Sequence, residues 1–161
     1  MKIYDQAFAQ YYKKLKVKCL PLTCWEFREN NFSDTILFQR FQSKWNTKQD
    51  YLKKAINENK ELLITDKNFK IVFASKTISK ISGYQHEEIL GKSPKMFQGE
   101  DTSEFTKQKI KTALIQLKPF KEVILNYKKN GDLYWCEIEG LPMFDKEGKF
   151  LNYIALEKIA S

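Results

Sequence analysis

The chain has 161 residues, of which 42% are hydrophobic and 14% aromatic, and its formal net charge is +8. This length suits one domain, or one domain with an extension, and the apolar content is too high for a disordered chain. No apolar run approaches the roughly 20 residues of a membrane span, and the N-terminus lacks the apolar core of a signal peptide, so we expect a cytoplasmic protein without a membrane partner.

The positive charge is concentrated in the first third of the chain. Residues 1–60 carry 12 Lys and Arg against 6 Asp and Glu, whereas residues 61–161 carry 16 against 14. Scattered lysines of this kind predict a solvated helix face. Nucleic-acid binding through "YYKKLKVK" at 11–18 is a lower-ranked alternative, because no recognition module accompanies it.

The three cysteines are Cys19, Cys24 and Cys136. Their number is odd and their spacing is not that of a metal site, for which about four ligands are needed. We therefore predict small packed thiols and no bound metal.

Residues 1–60 have the spacing of amphipathic helices. Four apolar residues recur three and four positions apart, and so share one helix face: Phe8, Tyr11, Tyr12 and Leu15. A second helix is predicted behind Ser33 as N-cap, and a third behind Thr47, with Asp50 completing the cap. We predict a helical N-terminal extension whose aromatic side chains cover the sheet of this chain or of a partner.

Short strands separated by turn residues begin at Glu61. The runs "ELLITD" and "KIVFAS" predict a hairpin. Short helical pieces follow, ended by Gly83 and Gly91, and then a longer helix capped by Thr102 or Ser103. Its apolar residues are at helical spacing: Phe105, Ile110, Ala113, Leu114 and Leu117.

Three more strand candidates complete the chain, "FKEVILNYKK", "LYWCEIEGLPMF" and "FLNYIALEKI". Asn130-Gly131 and Glu147-Gly148 separate them and suit tight hairpins. The order of elements predicts an α+β fold, with a five-stranded antiparallel sheet and short helices on one face. Alternation along the strands predicts that Glu137 and Glu139 point outward as solvated surface, and that Glu157 shares the inner face with Glu122, Asn126 and Cys136.

The segment "LLITDKNFKIVFASKTISKISGYQHEEILGKSP" resembles the opening of a PAS domain. "GKSPKMFQGEDT", "NYKKNGDLYW" and "LPMFDKEGKFLNYIALE" are similar to the light-oxygen-voltage branch of that family. The resemblance divides the chain into an N-terminal extension, residues 1–60, and a PAS domain, residues 61–161. It implies a PAS fold and a signalling role, and in this branch it implies bound flavin mononucleotide (FMN) and a photoactive cysteine.

Pro94 stands where the light-oxygen-voltage pattern G-x-N-C-R-F-L-Q has its photoactive cysteine. Proline has no thiol, so the resemblance predicts that no cysteine–flavin adduct forms at this position. The other positions that match the flavin site form a candidate pocket: Ser93, Lys95, Gln98, Lys111, Asn126, Cys136 and Glu157.

Only part of this pocket keeps the chemistry of the family. Gln98 and Asn126 match amides that hydrogen-bond the flavin, and Lys95 and Lys111 replace arginines that hold its phosphate, without the bidentate fork. At the remaining positions, Ser93 and Cys136 stand where the family has asparagine, and Glu157 stands where it has glutamine. Because each unpaired polar group of a buried ring costs roughly 1–3 kcal/mol, we expect no resident flavin, with residual flavin binding as an alternative.

Purely structural roles are open at the same positions. Gln98 would tie its loop to the sheet, Asn126 would bond a neighbouring strand, and Cys136 would fill space. Glu157 would form a salt bridge with a lysine, or would be a carboxyl of raised pKa that binds a polar ligand.

No nucleophile motif, phosphate loop or metal constellation indicates an enzyme. We therefore predict a non-catalytic, stand-alone sensory and protein-interaction module in signal transduction, which forms a homodimer through its N-terminal helices and sheet face. The alternative is a small-molecule receptor in the same fold.

Overall fold

The computed structural model describes residues 34–160, and residues 33–161 form one compact unit. The sequence predictions for the helix around Phe8, for Cys19 and Cys24 and for the cap at Ser33 lie outside the described residues. Within the described part, no helix has the length and apolar composition to cross a membrane.

Two helices precede the sheet, α1 over residues 34–42 and α2 over Tyr51–Asn57. The carboxylate of Asp50 caps α2 by accepting a hydrogen bond from the Lys53 amide. The prediction of Thr47 as the cap is therefore wrong, since its hydroxyl accepts the amide of Gln49 two residues on.

Five strands form one antiparallel sheet, as predicted. Their order in the sheet is β2-β1-β5-β4-β3. The strands are β1 Glu61–Thr65, β2 Ile71–Ala74, β3 Phe120–Tyr127, β4 Leu133–Phe144 and β5 Phe150–Ile159. The first and last strands along the sequence are hydrogen-bonded neighbours in the middle of the sheet, which brings Glu61 and Glu157 into direct register.

Short helices lie on one face of the sheet, here called the inner face. They are the 3₁₀ turn Lys76–Ile78, α3 Ser79–Ser82, α4 His86–Ile89, the 3₁₀ turn Pro94–Phe97 and α5 Glu104–Ile115. Gly83 ends α3 with φ +74°, a left-handed conformation that glycine adopts without a Cβ clash. Ile78, Ile89 and Phe97 pack with Leu63 of β1 in one apolar cluster, which fixes these turns over the sheet.

α5 is held less tightly than the other inner elements. Ser103 caps it by accepting the amide of Thr106, and none of its residues is fully buried. Phe105, one of the residues at helical spacing, is 72% exposed. Ile110 packs on the β3–β4 cluster, and the Tyr153 hydroxyl of β5 donates to carbonyls at the end of the helix.

The opposite, outer face is covered in part by α1 and α2. Phe38 and Trp45 meet edge to face at 5.7 Å and pack in one buried cluster with Ile154 and Leu156 of β5. These aromatic residues of the first 60 therefore cover the sheet of their own chain. The division of the chain at residue 60 stays a prediction.

Candidate functional site

A polar group of three side chains lies on the inner face of β3, β4 and β5. Asn126, Cys136 and Glu157 are all buried there, as the strand alternation predicted. In the strand register Cys136 and Ile138 are successive inner-face residues of β4, and Ile138 is paired with Glu157. Cys136 and Glu157 are therefore diagonal neighbours, and the Cys136 Sγ lies 3.9 Å from Glu157 Oε2.

Glu157 is the most perturbed carboxyl of this face. It is 3% exposed, and its cross-strand partner on β1 is Glu61, whose carboxylate accepts the hydroxyls of Ser75 at 2.5 Å and Thr77 at 2.6 Å. Burial, and then the charge of Glu61, raise the pKa of Glu157 to about 7. The salt-bridge alternative is not realised within the described residues, where the nearest partner of this carboxyl is a thiol.

Cys136 is the one cysteine among the described residues, and it is chemically quiet. Burial, and then the neighbouring Glu157 carboxyl, raise the pKa of its thiol. A thiol that stays protonated donates a weak hydrogen bond but is a poor nucleophile. The prediction of a small packed thiol describes its surroundings well.

Two buried hydroxyls on the inner face, Tyr134 Oη and Thr65 Oγ1, have no hydrogen-bond partner within residues 34–160. Tyr134 is paired with Asn126 in the β3–β4 register, and burial raises the pKa of its phenol. An unpaired buried hydroxyl costs roughly 1–3 kcal/mol, so such groups require an explanation. The sequence prediction missed both residues, because alternation identifies the face but not which polar atom lacks a partner.

The loop residues of the predicted pocket lie around the 3₁₀ turn Pro94–Phe97. Ser93 caps this turn by accepting the Lys95 amide at 3.4 Å, and the buried Phe97 anchors it in the inner core. Gln98 is half-buried, and within the described part its side chain forms no hydrogen bond to the sheet.

The two lysines of the predicted phosphate site are at the surface. Lys95 and Lys111 are both exposed, and neither forms an ion pair with a described residue. The structure thus brings together the three strand residues of the predicted set and leaves these two cations in solvent. Nowhere in the described range do three His, Cys, Asp or Glu side chains converge as a metal site would require.

A network of ion pairs joins α2 to the outer face of β4. Lys54 Nζ lies 2.6 Å from Glu139, and the side chain of Lys60, only 6% exposed, contacts Glu58 at 2.7 Å and Glu139 at 3.1 Å. The prediction of a solvated Glu139 is wrong, because both lysines hold it. Partial burial by itself would raise the pKa of Glu139, but the hydrogen bonds from Lys54 and Lys60 outweigh it and lower that pKa. Glu137 is likewise half-buried, near Lys60.

An apolar strip remains open on the outer face, beyond the reach of α1 and α2. It consists of Val123, Leu125, Leu133 and Trp135, and we call it the outer strip. Trp135 is 55% exposed and stands directly opposite Leu125. Exposed side chains of this size, next to one another on one face, are typical of contact surfaces.

Comparison with known protein families identifies the family to which this fold belongs. Residues 59–158 match the model of the PAS domain family. The chain belongs to the PAS domain family. This PAS domain is 35% identical over 88 residues to Protein TWIN LOV 1 of Arabidopsis thaliana, and 31% identical over 85 residues to a blue-light-activated histidine kinase of Brucella canis. These matches cover 54% and 53% of the chain.

Solved structures give the same assignment. The dark structure of the blue-light photoreceptor Aureochrome1 LOV superimposes with a TM-score of 0.65 at 26% identity, covering 72% of this chain and 87% of that one. The chain spans only 22% of the Arabidopsis protein and 17% of the Brucella kinase. This PAS domain is therefore a sensory signalling domain with light-oxygen-voltage relatives.

The inner-face residues of this PAS domain do not fit a flavin ring well. The ring edge pairs with neutral amide side chains that donate and accept hydrogen bonds at any pH, whereas a carboxyl donates only while it is protonated. Here Glu157 stands opposite a second carboxyl, Glu61, and the remaining replaced amide is a thiol already directed at Glu157. The site is acidic where the flavin-binding pattern is neutral, so no flavin chemistry is assigned to it.

Proposed function

We propose that this PAS domain is a non-catalytic module that signals through protein contacts and does not form a cysteine–flavin adduct. The absence of a suitably placed, reactive thiol is the single observation that supports the lack of an adduct. Pro94 opens the 3₁₀ turn where the resemblance places the photoactive cysteine, and the one thiol in the described residues, Cys136, is buried and protonated.

The absorption spectrum tests this proposal. The purified chain, as isolated and after incubation with riboflavin, is illuminated with blue light, and the visible flavin band is followed in the dark. We expect no reversible bleaching of that band. A bleach that recovers in the dark would contradict the proposal, and its loss in Cys136→Ala would identify Cys136 as the thiol that forms the adduct.

We also propose that the module forms a homodimer and that the outer strip is the contact surface between the two copies. α1 and α2 cover only the part of the outer face nearest β1 and β5, so Trp135 and Val123 stay exposed. Their rim carries both signs, with Lys121 3.4 Å from Glu137. A two-fold contact requires such a self-complementary surface.

Light scattering at micromolar concentration tests the dimer. The chain is expected to have twice its monomer mass, and Trp135→Lys is expected to be a monomer with unchanged circular dichroism. Phe105→Lys is the matched control, because Phe105 is an aromatic residue even more exposed than Trp135 but belongs to α5 on the inner side. A monomeric chain, or equal dissociation by both variants, contradicts the role of the outer strip.

A second candidate function is a small-molecule receptor, with the predicted residues Ser93, Lys95, Gln98, Lys111, Asn126, Cys136 and Glu157 around its site. The observation that favours it is the buried hydroxyl of Tyr134, which has no close hydrogen-bond partner in the described residues and lies on the same face as Asn126, Cys136 and Glu157. Native mass spectrometry of the chain as isolated tests for a retained ligand, and a bound mass that disappears in Tyr134→Phe supports the site.

A further inference from the structure

The inner face beside Glu157 combines negative charge, unpaired polar atoms and an opening to solvent. Glu157 and Tyr134 are each more than nine-tenths buried, and neither is paired with a cation among the described residues. The polar neighbour of the Tyr134 hydroxyl is the Asn126 side chain, and that of the Glu157 carboxyl is the Cys136 thiol. Ile138, the cross-strand neighbour of Glu157, is only half-buried. Ile159, two residues farther along the same face, is 47% exposed, so the face is accessible beside the carboxyl.

The charges around this carboxyl favour a positive partner. The titratable and charged groups near it are Glu61 on β1, Glu122 on β3 in the same cross-strand row, and Tyr134 and Cys136 on β4. Lys109 of α5 contacts Glu122, and Tyr84, after α3, lies near Tyr134. Lys109 is already paired with Glu122 at 3.4 Å, which leaves Glu157 and Glu61 without a lysine or arginine ion pair among these residues. Buried carboxylates are normally paired, since an isolated buried charge is costly.

We propose that the inner-face site beside Glu157 binds a small organic cation, an amidinium or ammonium group carried on a flat apolar ring. The Glu157 carboxylate accepts the N–H donors of the cation, and the Tyr134 hydroxyl accepts or donates one further hydrogen bond. The inner-face isoleucines, Ile124 and Ile138, contact the ring. This inference rests on the receptor function and names its ligand class.

Proton linkage follows from this chemistry. A cation pairs with the ionised carboxylate, so its binding releases the proton that Glu157 holds in the free protein. Because burial raises the pKa of Glu157 to about 7, affinity for the cation increases as pH rises through that value. A neutral ring that pairs with the protonated carboxyl would show the opposite dependence.

The test uses benzamidine, a cation at these pH values, and benzamide, its neutral near-isostere. Binding of each to the full chain is measured by NMR chemical-shift titration to millimolar ligand at about pH 6 and pH 8. With a site pKa near 7, the ionised fraction of Glu157 increases about tenfold over this interval, so benzamidine affinity should increase about tenfold and exceed that of benzamide.

Glu157→Gln should lose at least tenfold of the benzamidine affinity at about pH 8, together with its pH dependence. Glu147→Gln, which removes an exposed carboxyl in the turn between β4 and β5, should keep both. If Glu157→Gln misfolds, the wild-type protein alone tests the site. Proton release on benzamidine binding is then measured by calorimetry in two buffers of different ionisation enthalpy.

Different results contradict the cation site and the receptor function. Benzamidine binding that is absent, independent of pH or no tighter than that of benzamide overturns the cation site. Riboflavin binding that weakens with rising pH, in place of benzamidine binding, keeps the receptor but overturns its ligand class. The dimer and the absence of photochemistry are measured separately and do not depend on any of these results.

Discussion

Replacing Glu157 by glutamine should change the pH dependence of stability more than any other inner-face substitution. The carboxyl is wholly buried, and its pKa rises from 4.5 to about 7 on folding. The folded state therefore holds a proton between these values that the unfolded chain has released. Stability falls as pH rises through this window, because the folded state binds more protons than the unfolded state.

The magnitude follows from the shift. About 2.5 pKa units, at about 1.36 kcal/mol each, correspond to roughly 3 kcal/mol of stability that is fully present below pH 4.5 and lost above about pH 7. Glutamine keeps the shape of the neutral carboxyl and carries no charge at any pH. Glu157→Gln should therefore match the wild type at about pH 4.5 and exceed its free energy of unfolding by about 3 kcal/mol at about pH 8.

Urea denaturation followed by tryptophan fluorescence at several pH values measures this difference. With a urea m-value of roughly 1.5 kcal/mol/M, the midpoints should separate by about 2 M at about pH 8 and coincide near pH 4.5. Glu122→Gln serves as the control, because Glu122 is partly exposed and paired with Lys109. A difference between wild type and Glu157→Gln that stays constant with pH would refute the reasoning.

Three further substitutions test the packing. Lys60→Ala should lower the free energy of unfolding by about 1.5 kcal/mol, because it removes the charged hydrogen bonds of a nearly buried ammonium while Lys54 still holds Glu139. Lys121→Ala, with a side chain 63% exposed, should change it by less than about 0.5 kcal/mol in the same urea assay. Gly140→Ala would place a Cβ 2.2 Å from the Phe120 ring and should cost about 1–3 kcal/mol, a loss that Phe120→Leu in the same chain should reduce. Phe38→Ala should cost about 3–5 kcal/mol by thermal or urea unfolding, and a cost under about 1 kcal/mol would show that α1 does not hold the sheet.

The strands and their faces were readable from the sequence because both follow from local rules. Alternation of side chains has a fixed period of two, so the shared face of Asn126, Cys136 and Glu157 could be predicted without coordinates. Glycine after a helix is similarly local, and Gly83 ends α3 as predicted. Helical spacing says less about burial, because a surface helix buries only some of its apolar residues and here leaves Phe105 exposed.

What the sequence alone determined is the order of elements, the resemblance to the PAS family and the absence of a thiol at Pro94. Only the tertiary structure decided that Glu61 faces Glu157, that Tyr134 lacks a partner and that Glu139 is held by two lysines. These facts depend on pairing between segments about a hundred residues apart, and a one-residue slip in that pairing would move every side chain to the other face. The sequence shows which residues can carry a charge, but the fold determines the neighbours that set their pKa values.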